Sequence, residues 1–278
     1  MNEYKAMGSI TLRLLEYIND APKKDINYEI ALTLLNNFDK VKKMNITEIS
    51  ELCYVSPATI SRFCRMIGFS NFSEFKTVSN IKFSLENDYS RELLTTGRED
   101  IKAAFKNYTN SLMENINYVL DNINYDDIDY IAKKIYETEK VAFFASQFAY
   151  SVGKHLQGRL ILTGKYIETY PYYEKQLECA HNLDSESLAI ITSIEGSYFF
   201  KYMEIIEALK NNNVKIVVIT QNVNSKLADI ADKILVCGKS NSNNEGRELA
   251  LYLTEMLIFR YCTCLLYTSP SPRDGATS

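Results

Sequence analysis

The sequence Val55-Ser-Pro-Ala-Thr-Ile-Ser-Arg-Phe-Cys-Arg-Met-Ile-Gly-Phe69 decides how the first part of this 278-residue chain folds. Ser56 has a hydroxyl that can cap a helix, and Pro57 suits the first helical position. Gly68 suits a left-handed stop, so the spacing predicts a helix from Pro57 to Ile67. Its buried stripe repeats at positions i, i+3, i+4 and i+7 and consists of Ile60, Phe63, Cys64 and Ile67.

A second short helix is predicted just upstream, over Ile46-Thr-Glu-Ile-Ser-Glu-Leu-Cys53, with its apolar residues again on one face. Only Tyr54, Val55 and Ser56 separate the two helices. Two short helices joined by so tight a turn are typical of a helix-turn-helix, whose second helix enters the major groove of DNA. On spacing alone, an ordinary helical hairpin is the alternative.

The residues of the second helix carry a more specific signal than their spacing. The string Ser56-Pro-Ala-Thr-Ile-Ser-Arg-Phe-Cys-Arg65, with Gly68-Phe-Ser-Asn-Phe-Ser-Glu-Phe-Lys76 after it, resembles the N-terminal domain of RpiR/MurR-type transcriptional regulators. The resemblance implies that this helix binds an operator in double-stranded DNA. Hydroxyls and arginines suit phosphates and base edges, and the contacts that we predict are Ser56, Ala58, Thr59, Ser61, Arg62 and Arg65.

The net charge of −4 shows that the chain as a whole is no polycation, but a DNA footprint needs only a local excess of positive charge. Between residues 36 and 82, basic side chains outnumber acidic ones. The basic residues there are Lys40, Lys42, Lys43, Arg62, Arg65, Lys76 and Lys82. This mild excess supports DNA binding without proving it.

The six cysteines are scattered, at positions 53, 64, 179, 237, 262 and 264. No pair of CxxC motifs is present and Cys262-x-Cys264 has no histidine nearby, so we expect no metal site and no cofactor. Cys53 and Cys64 fall on inner helix faces, where a thiol packs as a small hydrophobe. Because the sequence shows no signal peptide and no long apolar span, we expect a cytoplasmic protein with reduced thiols and no membrane contact.

Apolar residues at helical spacing predict five short helices before residue 82, where no strand pattern is seen. We therefore predict an all-α helix-turn-helix domain over residues 1–82. A polar, unperiodic stretch over residues 83–100 is interpreted as a linker. The helix predicted from Glu99 to Asn122 either packs on the second domain or forms a dimer contact.

After residue 125 the pattern changes to short apolar runs separated by helices, one of them predicted over Tyr198–Lys210. The runs are Lys140–Ala145, Tyr166–Tyr170, Ser187–Thr192, Lys215–Thr220 and Ile234–Cys237. Strands that alternate with helices predict an α/β three-layer sandwich with a mostly parallel sheet, here over residues 101–264. In such a sheet, ligands bind beyond the carboxyl ends of the strands.

Two loops of this kind stand out, Ala145-Ser-Gln-Phe-Ala-Tyr-Ser151 and Ser193-Ile-Glu-Gly-Ser197. Their hydroxyls and small residues can hold a phosphate at a helix start, although serine-rich helix caps are also common. With Leu188–Ser193, Lys215–Thr220 and Ser225-Lys-Leu-Ala-Asp-Ile-Ala-Asp232, they resemble a SIS (sugar isomerase) domain, the partner domain expected in RpiR/MurR regulators.

Together the two resemblances cover roughly residues 5–262, and they imply a transcription factor whose SIS domain senses a phosphorylated sugar or amino sugar. The candidate ligand contacts are Ser146, Gln147, Ser193, Glu195, Gly196 and Ser197.

Both loops depart from the SIS pattern. Where SIS domains usually have a glycine-rich turn before a serine, this chain has Ala145-Ser146-Gln147, and Glu195 stands where a serine usually precedes the glycine. A carboxylate beside a phosphate repels it by more than about 1 kcal/mol if both are desolvated. Three alternatives stay open: Glu195 points away, it recognises a sugar hydroxyl or amine, or the phosphate site has decayed.

No acid/base pair for sugar isomerisation is evident in the sequence. His155 and His181 fall inside predicted helices, and Glu245 and Glu248 open the last helix, where acids are favoured anyway. We therefore expect a transcriptional regulator and not an enzyme. It should form a homodimer or a larger homo-oligomer, because helix-turn-helix proteins read two half-sites. A SIS-type phosphosugar isomerase and a ligand-insensitive DNA-binding dimer are the alternatives.

Residues 265–278 break abruptly from the apolar helix before them. The segment Leu265-Leu-Tyr-Thr-Ser-Pro-Ser-Pro-Arg-Asp-Gly-Ala-Thr-Ser278 resembles run-on translation at the end of a fragmentary sequence. We therefore interpret it as a non-native tail and exclude it from the fold. On that interpretation, the last helix or a short final segment is truncated.

Overall fold

A computed structural model of the chain describes residues 9–79, 89–223, 227, 229–239 and 245–268. The chain divides into two compact units, Met1–Phe83 and Ser84–Ser278. The described part of the first unit is helical, and the second unit contains a parallel sheet with helices on both faces. Each unit has its own hydrophobic core.

Six helices make up the described part of the first unit. They are α1 (Ser9–Asp20), α2 (Ile26–Asn36), α3 (Phe38–Val41), α4 (Ile46–Leu52), α5 (Pro57–Met66) and α6 (Phe72–Ser79). Their apolar faces enclose a core that contains Leu14, Leu34 and Phe75. Helix α3 was not predicted; the backbone of Asn37 leaves the helical region at φ −120°, which ends α2 and lets a separate short helix follow.

The helix-turn-helix expected from the sequence is formed by α4 and α5. The hydroxyl of Ser56 caps α5 as predicted, accepting a hydrogen bond from the N–H of Thr59 at 3.2 Å. The predicted apolar stripe of α5 is buried and consists of Ile60, Phe63, Cys64 and Ile67. Burial raises the pKa of the Cys64 thiol to about 12, so this side chain packs as a small neutral group.

Arg13 of α1 fixes the end of α5. Its guanidinium donates hydrogen bonds to the carbonyl oxygens of Ile67 at 3.1 Å and Gly68 at 2.9 Å, and lies 5.0 Å from the ring centroid of Phe69. The last carbonyls of a helix carry partial negative charge, so a cation is favourable there. The end of the predicted recognition helix is therefore tied to α1 by a side chain that no sequence pattern marked.

The second unit contains a sheet of five strands and the helices around it. Over the described residues, its α-helices and strands in chain order are α7 (Arg91–Glu99), α8 (Ile101–Asn122), α9 (Tyr125–Glu137), β1 (Val141–Ala145), α10 (Phe148–Leu160), β2 (Glu168–Thr169), α11 (Tyr173–Asn182), β3 (Leu188–Thr192), α12 (Tyr198–Lys201), α13 (Met203–Asn211), β4 (Lys215–Thr220), β5 (Lys233–Val236) and α14 (Gly246–Thr268). All five strands are parallel, in the order β2-β1-β3-β4-β5.

The sheet is covered on both faces, which confirms the predicted three-layer sandwich. Every residue of β1 and β3 is buried. One face packs against α9, α10 and α14 through side chains such as Ile131, Leu156 and Leu253. The other face packs against α11 and α13 through Cys179 and Ile205. Strands buried on both sides need continuous apolar runs, and for this reason they were visible in the sequence.

Two elements of the second unit are shorter than predicted. The strand expected over Tyr166–Tyr170 is reduced to β2, which pairs only with β1 at the edge of the sheet. The helix expected over Tyr198–Lys210 is split into α12 and α13 at Tyr202, whose backbone adopts φ −121° and ψ 42°. The Tyr202 ring is buried and packs against the rings of Tyr173 and Tyr198.

The stretch interpreted as a linker contains a helix, α7. The hydroxyl of Ser90 caps it by accepting from the N–H of Leu93 at 3.2 Å, and α7 then packs along α8. We did not predict this helix because polar residues dominate its sequence, and such a composition is typical of linkers. At the other end of the unit, α14 continues to Thr268 and so into the predicted tail. Lys82, Ser225, Lys226, Ala228 and residues 269–278 lie outside the described residues.

We expect Gly68→Ala to destabilise the helical unit by about 1–2 kcal/mol, because φ at Gly68 is 92° and L residues avoid this left-handed conformation. An added Cβ would also lie 2.0 Å from a guanidinium nitrogen of Arg13. Thermal unfolding followed by circular dichroism measures the change.

The matched control is Gly158→Ala in α10, where an added Cβ meets nothing within 4 Å. Alanine in this exposed helix position should raise stability by about 0.5–1 kcal/mol. A Gly68→Ala protein as stable as the parent would contradict the role assigned to the left-handed stop.

Candidate DNA-binding helix and candidate ligand site

The side chains predicted to contact DNA lie at the start of α5 and on its outer face. The exposed ones are Ser56, Ala58, Arg62 and Arg65, and the half-buried ones are Thr59 and Ser61. Because the apolar stripe of α5 faces the core, these hydroxyls and guanidiniums form the surface that the helix offers to a partner. Such groups donate to phosphate oxygens and to base edges.

Hydrogen bonds connect three of these side chains along the helix. The Ser56 Oγ lies 2.9 Å from the Thr59 Oγ1, and a terminal nitrogen of Arg62 donates to the same Thr59 oxygen at 3.3 Å. Thr59 thus restrains the two groups on either side of it. Side chains that are already restrained lose less conformational entropy on binding.

Tyr54 extends this surface into the turn before α5. Its side chain is 96% exposed, and its backbone adopts a left-handed φ of 53°. Tyrosine hydroxyls are among the groups that contact DNA phosphates. The sequence places Tyr54 in the three-residue turn, but the pattern of apolar residues does not predict whether its side chain is exposed.

Two of the basic residues in the local charge excess are engaged within the helical unit. The Lys76 ammonium donates to the carbonyl oxygens of Val41 at 2.7 Å and Lys42 at 2.6 Å, and desolvation lowers its pKa. Lys42 pairs with Asp39 at 3.0 Å. The exposed cations of this unit that can meet DNA include Lys40, Lys43, Arg62 and Arg65.

The two predicted ligand loops leave the sheet at the same edge. Strands β1 and β3 are neighbours, and their last residues, Ala145 and Thr192, are in register. The structure therefore brings the loop that starts at Ser146 beside the loop that starts at Ser193. This is the edge where open parallel sheets bind ligands.

Hydrogen bonds shape the second loop into a compact turn. The Ser193 hydroxyl accepts from the N–H of Tyr198 at 3.1 Å, and the N–H of Gly196 donates to the carbonyl of Ser193 at 3.1 Å. Gly196 has φ 79°, a conformation that glycine adopts without strain. Ser193 and Gly196 thus maintain the loop itself, while Glu195 is exposed and Ser197 is half-buried at its rim.

A buried glutamine joins the two loops. The amide nitrogen of Gln176 donates to the carbonyls of Ala145 and Tyr170, both at 2.8 Å, and its oxygen accepts from the hydroxyl of Tyr198 at 2.6 Å. One side chain therefore holds the ends of β1 and β2 against the start of α12. Its partners are 31, 6 and 22 residues away, so no local sequence pattern could reveal this role.

Tyr202 connects Ser146 to the same network. Its ring stacks on Tyr173 with centroids 5.7 Å apart and packs against Tyr198 at 4.5 Å. Burial raises the pKa of Tyr202, and a side-chain hydrogen bond with Ser146 acts in the opposite direction. The half-buried Ser146 thus has a protein partner and is also accessible at the sheet edge.

Gln147 adopts a glycine-like conformation in the first loop. Its backbone has φ 54° and ψ −128°, and it precedes the first residue of α10 without making a side-chain capping bond. A non-glycine residue in such a region costs about 1–3 kcal/mol. The first loop therefore has the backbone conformation of a glycine turn, although a glutamine, Gln147, occupies the position.

The described residues bring neither histidine into these loops. His155 on α10 pairs with Glu255 on α14, and His181 is exposed at the end of α11. Over the same described ranges, no group of three or more His, Cys, Asp or Glu side chains is placed to hold a metal ion. A bilayer-spanning helix, one both long and apolar enough, is likewise not found among them.

Known proteins contain the same two domains. A family model described as the helix-turn-helix domain of the rpiR family matches residues 12–88, and a SIS domain model matches residues 134–235. An uncharacterized HTH-type transcriptional regulator of Haemophilus influenzae is 24% identical over 245 residues, which are 86% of this chain and 83% of the relative. The HTH-type transcriptional regulator RpiR of Escherichia coli is 21% identical over 216 residues, or 77% of this chain and 71% of that protein.

A solved structure also covers nearly the whole chain. The Vibrio vulnificus NanR protein, complexed with ManNAc-6P, aligns with 95% of this chain and 94% of its own, with a TM-score of 0.52 and 20% identity. At this level of identity the likeness supports the fold. It agrees with a helical unit followed by a parallel α/β unit.

We expect Gln147→Gly to stabilise the protein by about 1 kcal/mol, because glycine relieves the strain at this position at a smaller entropic cost. The corresponding rise in Tm is about 2–4 °C for a unit of this size. Arg159→Gly, at an exposed position inside α10, is the control and should lower stability by about 1 kcal/mol. A drop in Tm for Gln147→Gly would show that the loop is not strained.

Proposed function

Since the chain belongs to the rpiR family of helix-turn-helix transcriptional regulators that carry a SIS domain, we propose that it regulates genes of sugar or amino-sugar metabolism in response to a phosphosugar. The effector binds at the carboxyl edge of the parallel sheet, and α5 binds the operator. The observation that carries this proposal is the register of β1 and β3, which brings the Ser146 and Ser193 loops together.

DNA binding uses the outer face of α5. Arg62 and Arg65 are exposed, and Ser56 and Thr59 are already connected along the helix. The contacts with bases and phosphates come from the predicted set of Ser56, Ala58, Thr59, Ser61, Arg62 and Arg65, and Tyr54 adds a phosphate contact from the turn. The major groove is wide enough to admit an α-helix, and the second helix of a helix-turn-helix lies there.

The effector is a phosphorylated sugar or amino sugar held by the two loops. The class is supported by the SIS match and by the NanR structure, in which the ligand is ManNAc-6P. Contacts come from Ser146, Gln147, Ser193, Gly196 and Ser197. The carboxylate of Glu195 is exposed, which supports the alternative in which it points away from a bound phosphate.

Regulation works by linkage between the two sites. An effector that binds one arrangement of the protein more tightly than another changes operator affinity, and the operator changes effector affinity by the same factor. The protein acts as a homodimer or tetramer in the bacterial cytoplasm, because a helix-turn-helix regulator reads two half-sites related by two-fold symmetry.

The protein senses its sugar without converting it. The relatives with a named role are transcriptional regulators. In the described residues, His155 is paired with Glu255 and His181 is exposed at the end of α11, and neither belongs to the two loops, so we assign neither as the acid or base of an isomerase. A ketose or aldose phosphate should therefore bind and be recovered unchanged.

We expect Arg62→Ala and Arg65→Ala each to weaken operator binding by about 1–3 kcal/mol without unfolding the helical unit. Where an arginine contacts a phosphate, the slope of log affinity against log salt should fall by about 1. The measurement is a salt-dependent titration on DNA from the region upstream of the gene itself. Arg159→Ala, an exposed arginine on α10, serves as the control and should bind like the parent. Unchanged affinity in both α5 variants would remove the assignment of α5 as the recognition helix.

We expect Ser197→Ala to weaken phosphosugar binding, because it removes a hydroxyl from the rim of the loop, and Glu195→Ser to bind as the parent does, because the exposed carboxylate points away from the phosphate. A thermal-shift titration of the full chain with ribose 5-phosphate, glucose 6-phosphate, glucosamine 6-phosphate and N-acetylmannosamine 6-phosphate measures both. Weaker binding by Glu195→Ser would instead make Glu195 a contact for a sugar hydroxyl or amine. No shift with any of the four would favour a ligand-insensitive DNA-binding protein.

A further inference from the structure

The side chain of Gln221 is buried without a hydrogen-bond partner. Gln221 follows Thr220, the last residue of β4, and is 7% exposed. Its N–H donates to the carbonyl of Ile194 at 2.9 Å, which places the residue directly under the second ligand loop. Neither the nitrogen nor the oxygen of its side-chain amide has a partner in the described structure.

Two glycines make room for this amide. A Cβ on Gly238, just after β5, would lie 2.5 Å from the amide nitrogen of Gln221. A Cβ on Gly246, the first residue of α14, would lie 3.2 Å from its oxygen. Any larger residue at these two positions would crowd the amide. The two glycines thus leave room at the carboxyl edge for a buried amide that has no hydrogen-bond partner among the described residues.

A matched side chain elsewhere in the same unit shows how unusual this is. Gln176 is also buried, at 1% exposure, but both ends of its amide are fully used by Ala145, Tyr170 and Tyr198. Buried polar groups in native proteins are nearly always hydrogen-bonded, and each exception needs an explanation such as a bound ligand. Gln221 is such an exception, and it lies at the edge of the sheet where ligands bind.

We propose that Gln221 determines ligand specificity, its amide binding a hydroxyl group of the sensed sugar. This inference rests on the proposed phosphosugar function. A hydroxyl both donates and accepts, so it can satisfy the oxygen or the nitrogen of the amide. The amide carries no charge, so it suits a neutral hydroxyl better than it suits the phosphate, which charged groups bind more strongly.

The test compares Gln221→Met with Gln176→Met in the full chain. Without ligand, Gln221→Met should have a Tm equal to or above that of the parent, because it removes an unpaired amide and keeps the shape. Gln176→Met removes a fully bonded amide and should lower the Tm. With the sugar phosphate that gives the parent its largest thermal shift among the four named above, Gln221→Met should bind at least tenfold more weakly.

Each result decides the proposal. Binding by Gln221→Met within twofold of the parent overturns it. A ligand-free Tm lowered as far as in Gln176→Met also overturns it, because the amide then has a structural role such as holding a water.

If Gln221→Met does not fold, isosteric Gln221→Glu replaces it. Tenfold weaker binding is then expected, and binding equal to that of the parent overturns the inference. If no compound shifts the parent, the phosphosugar function fails and this inference with it, whereas equal binding by parent and variant removes the inference alone.

Discussion

Parallel strands cannot be joined by tight hairpins, and the second unit is built around this restriction. Each strand must be followed by a crossover, and helices in the crossovers cover both faces of the sheet. The central strands are therefore mostly apolar, and their carboxyl ends share one edge. This is why the loops that start at Ser146 and Ser193 leave the sheet side by side, although they are far apart in the chain.

The helical unit depends on a more local principle, the satisfaction of backbone groups at helix ends. Ser56 caps the start of α5, and Arg13 binds the carbonyls at its end. With both ends fixed and the apolar stripe buried, the remaining face of α5 is held as one rigid surface. A recognition helix needs this rigidity, because contacts with base edges depend on direction as well as distance.

The elements that could be predicted from the sequence are those with a strong local pattern. Strand β4 was predicted over Lys215–Thr220, as observed, because its apolar run is bounded by polar residues. Helix α5 was predicted to within one residue from its Ser56 cap and apolar stripe. Helix α7 was missed because polar residues dominate its composition, and the short β2 was overestimated because an edge strand pairs on one side only.

The candidate ligand site was predicted only in part, for a physical reason. Local motifs indicate which loops leave the sheet edge, but they carry no information about contacts between distant residues. Gln176 and Tyr202 contact residues that are remote in sequence. Gln221 is distinguished by a buried amide without a hydrogen-bond partner in the described structure. The strain at Gln147 was hidden too, because the residue type gives no hint of a glycine-like backbone.

The three-way contact of Gln176 also restricts how the chain can diverge. If Tyr198 alone became phenylalanine, the oxygen of the Gln176 amide would lose its partner inside the core. If Gln176 alone became apolar, the Tyr198 hydroxyl would be stranded instead. Either single change leaves a buried polar group unsatisfied at a cost of about 1–3 kcal/mol, and changing both residues avoids that cost for the amide oxygen and the hydroxyl. Positions 176 and 198 are therefore expected to be inherited as a pair and to covary among related sequences.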